Sequence, residues 1–317
     1  MQNLNSVLCR TDVRFSTFSG AQNILFAAED KLFCRQLARA AVRSLYQELT
    51  LYPKPGLVSL IDNGSHADMN AATFMRSLFS LRHYFFQIAE AGMQGAAFDK
   101  LKQLGMAAEG RMLRATGGVN THRGAIFCLG MLCAAIASCH AQGIALSAAA
   151  IRANLSMQWG VALTQHAKVS ANEAASHGLQ IAARHAVGGA REEGARGFPA
   201  VFEIALLQLD STLGAGRNWQ SAKIDALFAL MAHIDDSNVY YRGAAEGNAI
   251  VKLHSRRFID AGGTAAGDWQ QRALDCHVLF TRHRLSPGGA ADLLAAACLV
   301  HQMCALPERQ DLPGTPA

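Results

Sequence analysis

Apolar residues recur at every third or fourth position along most of this chain. The first clear set is Leu37, Ala41, Leu45 and Leu49. This spacing places the set on one face of a helix, and the prolines at 53 and 55 cannot continue that helix. The sequence therefore predicts a helix with one buried face ahead of residue 53.

The same period returns further along the chain. It covers residues 74–88 and 126–136, and we expect more helices near 147–170, 172–187 and 199–213. Ser286 is a predicted N-cap for a last helix over residues 290–303. Strict alternation rich in Val, Ile and Thr is nearly absent, so the sequence predicts an all-α fold.

Composition indicates one large folded unit. Half of the 317 residues are hydrophobic and 17% are charged, which is typical of a protein with a large core. No fixed-period repeat and no linker rich in Ser, Gly and Pro divides the chain. We predict a helical catalytic domain over residues 31–305, a loose segment at 1–30 and a tail at 306–317.

The distribution of charged residues indicates which kind of molecule the protein binds. The formal net charge of +5 comes from scattered basic residues, which favours an anionic small molecule over a nucleic acid. The eight cysteines form no CxxC pair, so neither a zinc site nor a disulfide framework is expected. The first 29 residues lack a basic and apolar leader, and no uninterrupted apolar span reaches about 18 residues. We therefore expect a cytoplasmic protein without a membrane partner.

Polar and glycine-rich residues collect between the predicted helices. These segments are residues 54–68, 115–124, 176–178, 188–199, 235–243 and 286–292. Loops that rigid helices hold in place commonly carry binding groups. If these loops converge at one end of the bundle, they build one composite site.

Residues 116–124 have the composition of an anion site. Gly117 and Gly118 permit close backbone approach, and Arg123 begins an apolar helix whose first N–H groups can face a phosphate. The same composition fits a plain turn between two helices. The segment is not a Walker A loop, because alanine follows its last glycine.

A second glycine-rich junction lies at residues 188–199. Arg191 and Glu192 fit either a site for a charged ligand or a solvated structural ion pair. The GxGxxG spacing and a preceding strand are both missing, so a dinucleotide-binding fold is rejected.

Carboxylates in two of the loops suit Mg²⁺. Asp68, which follows His66 by two positions, and the adjacent Asp235 and Asp236 supply oxygen ligands. Aspartates after an apolar run also fit an ordinary helix end. His122, between threonine and arginine, is a better candidate for binding or proton transfer than the other histidines.

Together these segments resemble the triphosphoribosyl-dephospho-CoA synthase family. The resemblance covers residues 30–305 and rests on PKPGLV at 53–58, NGSHADM at 63–69, ATGGVNTHRG at 115–124, HG at 177–178, GAREE at 189–193, GFP at 197–199, DDSN at 235–238 and SPGGAADLL at 286–294. Several motifs in one order are far more specific than any one of them.

Three positions depart from the family pattern. Arg123 stands where lysine is usual and Ser176 where threonine is usual, so charge and hydroxyl are kept. Ala244 stands where a second glycine usually follows Gly243. A glycine lost from a turn puts the local backbone in question.

The resemblance implies a defined reaction. The 2′-hydroxyl of 3′-dephospho-CoA displaces adenine from C1 of the ATP ribose, giving 2′-(5″-triphosphoribosyl)-3′-dephospho-CoA. Mg²⁺ is implied with the triphosphate. A prosthetic-group transferase and an acyl carrier subunit are the implied downstream partners, for malonate decarboxylase more than for citrate lyase, and a homo-oligomer is allowed.

The same resemblance predicts the site residues. Asp68, Asp235 and Asp236 hold Mg²⁺, and Asp235 and Asp236 are also candidates to face an oxocarbenium-like transition state. Glu192 and His122 are the predicted proton-transfer groups. The predicted phosphate ligands are Lys54, Arg123, Arg191 and Arg242. The other predicted substrate contacts are Asn63, His66, Gly117, Gly118, Asn120, Thr121, His177 and Asn238.

Two other functions stay open at this point. An ADP-ribosyl hydrolase-like N-glycosidase would use similar aspartates with water as the acceptor. A non-catalytic, nucleotide-binding helical assembly factor would fit the composition without explaining the polar motifs.

Overall fold

The computed structural model describes residues 20–172 and 189–305, and the side chains of residues 28–168 and 189–305. Within these ranges all regular secondary structure is helical, which confirms the predicted all-α fold. In chain order the α-helices are α1 (Gly20–Leu49), α2 (Ala71–Ser80), α3 (Arg82–Met93), α4 (Phe98–Thr116), α5 (Arg123–Ala141), α6 (Ala148–Asn172), α7 (Ala190–Ala195), α8 (Leu206–Gly214), α9 (Trp219–His233), α10 (Ser237–Asp260), α11 (Trp269–Arg282) and α12 (Gly288–Cys304).

Helix α1 follows from the apolar spacing that predicts it. Leu37, Ala41, Leu45 and Leu49 are all buried, so the 3.6-residue period has placed them on one face. The helix ends at Leu49, ahead of the two prolines. It begins at Gly20, within the segment predicted to be loose, and the domain boundaries near 30 and 306 stay predictions.

Helices α5 and α12 form the centre of the bundle. Helix α5 packs against α3, α6 and α12, and α12 also packs against α1 and α9. By length and composition α5 can cross a membrane, yet 78% of its apolar window is buried inside the protein. It is therefore the core helix that the period at 126–136 predicts, and its small residues let neighbouring helices approach.

The predicted helix over 199–213 is not uniform. A π-helical turn at Ala200–Ala205 precedes α8, and the amide of Leu206 donates to the carbonyl of Val201, five residues back. Such widened turns occur often beside functional sites. The helix predicted at 172–187 falls almost entirely outside the described residues.

Helix α10 is broken at Ala244. This residue has φ 50° and ψ −151°, a conformation that glycine adopts readily and alanine does not. The departure from the family's glycine therefore falls at a backbone position that needs one. The kink also lies beside Arg242, one of the predicted phosphate ligands.

Ala244→Gly should stabilise the protein. Relief of the strained φ is worth roughly 1 kcal/mol, which corresponds to a rise in Tm of about 1–2 °C. Ala245→Gly is the matched control, since Ala245 has helical geometry and its replacement should lower Tm. Thermal unfolding followed by circular dichroism measures both. An unchanged or lowered Tm for Ala244→Gly would contradict the strain argument.

Candidate active site

The polar loops line one cavity of about 1280 Å³. Thirteen predicted site residues contribute to its wall, namely Lys54, His66, Gly118, Asn120, Thr121, His122, Arg123, Arg191, Glu192, Asp235, Asp236, Asn238 and Arg242. Asn63, Asp68 and Gly117 are exposed and do not line it, and His177 lies outside the described residues. The loops thus converge as the sequence predicts.

Three helix N-termini open into this cavity. Arg123 and Gly124 begin α5, Asn238 lies in the first turn of α10, and Gly288 and Gly289 begin α12. The first N–H groups of a helix lack partners within it and carry partial positive charge. Such ends attract acidic groups, and the carboxylate of Asp236 already occupies those of α10 and α12.

Asp236 joins two of these helix ends. It is the N-cap of α10, where Oδ1 accepts from the amide of Asn238 at 2.8 Å, while Oδ2 accepts from the amide of Ala290 in α12 at 3.0 Å. Gly289 gives it room, because a Cβ there would lie 2.9 Å from Oδ2. Burial raises the pKa of the Asp236 carboxyl, and the amide hydrogen bonds oppose that shift.

Asp236 also explains why the predicted N-cap of the last helix is wrong. Helix α12 has Pro287 at its N-cap and no side-chain cap of its own. The carboxylate of Asp236, arriving from another helix, accepts the amide hydrogen of Ala290 instead. The hydroxyl of Ser286 meets Nε2 of His66 at 2.8 Å.

Asp235 lies next in sequence but in a different environment. Its side chain is half exposed, and Oδ1 accepts from Asn248 at 2.8 Å and from Lys252 at 2.5 Å. Burial alone would raise its pKa, but these two hydrogen bonds outweigh burial and the net shift is downward. Asp235 therefore presents an ionised carboxylate to the cavity.

The predicted Mg²⁺ ligands do not form one cluster. Asp68 is exposed outside the cavity, where its Oδ1 lies 3.5 Å from Nδ1 of His66. Across the described ranges no group of three or more His, Cys, Asp or Glu side chains is arranged to hold a metal ion. Any Mg²⁺ here would draw most of its ligands from substrate phosphate and water, as this ion commonly does.

Lys54 is buried and paired rather than displayed on a loop. Its side chain is 1% exposed, and Nζ donates to Oε1 of Glu48 at 2.5 Å and to the Glu48 carbonyl at 3.0 Å. Burial lowers the pKa of Lys54, and Glu48 opposes the shift. Glu48 is not among the site residues predicted from the sequence. The sequence does contain a sign of it, because this acid lies three positions after Leu45 and therefore on the buried face of α1.

Asp292 lies within the motif at 286–294 but is not among the predicted site residues. It is the one acidic side chain of α12, and it lines the cavity against Gly124, where a Cβ would collide with its Oδ2. Burial, followed by the negative charges of Glu48 and Asp236, raises its pKa well above the usual range, against a hydrogen bond from the amide of Ala125. The surroundings of Asp292 therefore disfavour its ionised form.

His122 has one ring nitrogen without a partner. Nδ1 lies 2.6 Å from the hydroxyl of Ser77, which in turn accepts from Thr121 at 2.7 Å. Nε2 is buried on the cavity wall with no hydrogen-bond partner among the described residues. The contact with Ser77 fixes the orientation of the ring, and Nε2 is therefore the ring nitrogen available to a ligand in the cavity.

Arg242 and His66 lie together at the α10 and α12 end. Arg242 donates to Nδ1 of His66 at 3.0 Å and to the carbonyl of Ser65 at 3.1 Å. Burial and the charge of Arg242 lower the pKa of His66. Because the arginine's partners here are an imidazole nitrogen and a carbonyl, its positive charge is not cancelled by them.

The remaining predicted charges already have contacts. Arg123 donates through Nε to Glu109 at 2.6 Å, and Glu192 accepts the amide hydrogen of Gly189 at 2.8 Å.

Gly117 and Gly118 have φ of 70° and 91° and end α4. The segment at 116–124 is therefore both a turn between helices and part of the cavity wall.

Comparison with known proteins decides the family. The model of the CitG family, described as ATP:dephospho-CoA triphosphoribosyl transferase, matches residues 34–310. The chain belongs to this family. It is therefore a transferase that makes triphosphoribosyl-dephospho-CoA, and the family's substrates are ATP and dephospho-CoA.

The chain aligns with curated relatives of this family over most of their length. Each is described as a "probable 2-(5''-triphosphoribosyl)-3'-dephosphocoenzyme-A synthase". The relative from Acinetobacter calcoaceticus is 39% identical over 81% of this chain and 86% of its own. Those from Stutzerimonas stutzeri and Pseudomonas putida are 39% and 42% identical, over 88% and 83% of this chain and 95% and 92% of their own. No solved structure matches the chain.

Removing one partner of the Glu48 and Lys54 pair should destabilise this transferase strongly. Glu48→Gln leaves a buried ammonium without its carboxylate, at a cost of about 3–5 kcal/mol in the free energy of unfolding. Glu48→Leu combined with Lys54→Met should cost less than either single change, because no unpaired charge remains. Urea unfolding measures all of these variants, and losses that simply add would contradict the pairing.

His122 should make stability fall with acid. The ordinary histidine pKa is 6.5, whereas burial, followed by the charge of Lys54, lowers the pKa of His122 to about 3. Between these values the unfolded chain binds a proton that the folded chain does not, so the stability contribution is present above pH 6.5 and declines as pH falls.

The loss between pH 7 and pH 5 should therefore be about 2 kcal/mol smaller in His122→Gln than in the wild type. The exposed His283→Gln serves as the matched control and should keep the wild-type loss. Urea unfolding at the two pH values provides the measurement. Equal losses in wild type and His122→Gln would show that the ring takes up its proton in the folded state.

Proposed function

We propose that the enzyme transfers the triphosphoribosyl group of ATP to the 2′-hydroxyl of 3′-dephospho-CoA and releases adenine. The bond between C1 of the ribose and adenine breaks, and a bond between C1 and the acceptor oxygen forms. The acceptor hydroxyl loses a proton and adenine gains one. The observation that carries this proposal is the convergence of three helix N-termini and the family motifs on one cavity.

The size of the cavity supports two substrates. Pockets for a single small molecule are commonly about 300–1,000 Å³, and this one has about 1280 Å³. Transfer to an organic acceptor needs both molecules in place at once, with reacting atoms about 3–3.5 Å apart. A hydrolase would need room for one nucleotide and water.

Asp235 is suited to the developing positive charge. Loss of adenine passes through an oxocarbenium-like state, which a nearby ionised carboxylate stabilises. The lowered pKa keeps Asp235 ionised, whereas both oxygens of Asp236 accept backbone amides. We assign the electrostatic role to Asp235 and a positioning role to Asp236.

Two groups suit the proton transfers. Burial and nearby negative charge raise the pKa of Asp292, which makes this carboxyl the candidate general acid for the departure of adenine. Glu192 is the candidate base for the acceptor hydroxyl. His122, whose buried Nε2 has no hydrogen-bond partner among the described residues, is suited to form a hydrogen bond with the substrate.

We place the triphosphate near Arg242, whose positive charge is not cancelled by its hydrogen-bond partners. Mg²⁺ would accompany it, with Asp235 as the predicted ligand that is both half exposed and on the cavity wall. This ion would neutralise phosphate charge and orient the triphosphate. Lys54 and Arg123 line the same cavity, where Glu48 and Glu109 already pair with them.

We place the product upstream of a prosthetic-group transferase and an acyl carrier subunit, in the cytoplasm. Malonate decarboxylase is favoured over citrate lyase as the enzyme that uses the finished group. These assignments rest on the family resemblance.

Mass spectrometry of the products tests the reaction. ATP with dephospho-CoA should give free adenine and an acceptor heavier by the triphosphoribosyl group, and ATP alone should give almost no adenine. Equal adenine release without acceptor would indicate an N-glycosidase. Nucleotide binding with no adenine under any condition would indicate a binding protein.

Asp235→Asn should lower kcat by about 10² with little change in the KM for ATP, since charge stabilisation acts in the transition state. Asp260→Asn, at the far end of α10 and outside the cavity, is the matched control. Chromatographic measurement of adenine compares the two variants. Near-normal kcat in Asp235→Asn would remove this carboxylate from the mechanism.

A further inference from the structure

A second region of the cavity is lined by residues that belong to none of the family motifs. Helices α4 and α6 supply Phe98, Lys102 and His166, and Phe127 projects from the second turn of α5. This region lies against α7 rather than against the α10 and α12 ends. We call these four residues the aromatic region.

The rings of this region form a connected wall. The ring centroid of His166 lies 5.3 Å from that of Phe98 and 6.4 Å from that of Phe127. Phe127 is also 6.0 Å from Phe198. The half-buried rings of the aromatic region present an apolar surface that can cover an uncharged chain or a flat ring.

Positive charge borders the rings. Burial and then the charges of Arg191 and Lys102 lower the pKa of His166 to about 4, so two cations converge on an uncharged imidazole. Lys102 is exposed, and the described part of the chain places no carboxylate within ion-pair distance of it.

Two acidic residues near the aromatic region already pair with arginines. Glu203 pairs with Arg152 at 2.6 Å, and Glu193 pairs with Arg196 at 3.4 Å. Both carboxylates are therefore offset by arginines of their own, and Glu192 accepts the amide hydrogen of Gly189. Lys102 is a cation beside the rings with which these acids form no ion pair.

The two ends of the cavity differ in the charge they can balance. ATP carries about four negative charges at neutral pH, and Arg242 at the α10 and α12 ends offers a cation whose charge its hydrogen-bond partners do not cancel. Dephospho-CoA carries one diphosphate and a long uncharged pantetheine arm. An exposed lysine beside an apolar wall matches that combination.

We propose that the aromatic region binds the diphosphate and pantetheine arm of dephospho-CoA, with Lys102 on the diphosphate and Phe98 against the arm. This inference rests on the proposed function, because the acceptor hydroxyl then meets C1 of the ATP ribose between the two ends. Specificity for the acceptor over water follows from this region, and specificity for ATP from the opposite end.

Steady-state kinetics of Lys102→Ala tests the interaction with the diphosphate. The KM for dephospho-CoA should rise about tenfold while the KM for ATP and kcat stay within about twofold, because the lysine would stabilise the ground state and the transition state equally. Lys100→Ala is the matched control, an exposed lysine on the same helix that does not line the cavity. A rise in the KM for ATP instead, or no change in either KM, would overturn the assignment.

The arm is tested with 4′-phosphopantetheine, which lacks adenosine. It should inhibit competitively against dephospho-CoA but not against ATP, and Phe98→Ala should raise its inhibition constant several-fold. A Tm of Phe98→Ala close to the wild-type value excludes loss of fold as the cause. Competition with ATP, or no inhibition at ten times the KM for dephospho-CoA, would overturn the proposal.

A wrong assignment of the aromatic region can be distinguished from a wrong transfer reaction. If the wild type makes no product from ATP and dephospho-CoA, the transfer reaction is wrong. Calorimetric titration of dephospho-CoA into the wild type and Lys102→Ala still tests the region. A tenfold weaker Kd in the variant supports it, and equal Kd values overturn it.

Discussion

The hydrogen bonds of the Asp236 carboxylate fix the positions of two helix ends in the active site. One oxygen caps α10 and the other accepts an amide of α12, so a single side chain fixes two helix N-termini that lie about fifty residues apart in sequence. Backbone donors at a helix end are costly to bury without an acceptor. Because Asp236 accepts these amide hydrogens, both helix ends can face the same cavity. The hydroxyl of Ser286 does not cap α12 and instead contacts His66.

Buried charge is then balanced within a small volume. Glu48 pairs with Lys54, burial beside Glu48 and Asp236 raises the pKa of Asp292, and burial beside Lys54 lowers the pKa of His122. A buried ionised group needs a partner, and burial without one favours the neutral form. The cavity thus contains a carboxyl with a raised pKa, an imidazole with a lowered pKa and, in Asp235, a carboxylate with a lowered pKa. These are the kinds of group that cleavage of an N-glycosidic bond requires.

The glycines of the motifs serve packing more than direct phosphate binding. Gly124 lies against Asp292, and Gly289 lies against Asp236, so any side chain at either position would displace a carboxylate. Their sequence context suggests positions where phosphate approaches the backbone. In the structure, the protein's own acids approach there. Ala244 is the converse case, since it occupies a backbone conformation that only glycine adopts without strain.

The sequence by itself determined the helices and the loops that carry chemistry, because a 3.6-residue period and turn-forming residues are local properties. Through motifs in a fixed order it also identified site residues most of which lie on the cavity wall. Only the tertiary structure decided which charges are buried and paired. Asp235 and Asp236 are neighbours in sequence, yet one faces the cavity and the other accepts amides from two helices. Glu48 and Asp292 look like isolated acids on apolar helix faces until packing brings them to the same cavity. Their protonation depends on partners far away along the chain, which no local pattern reports.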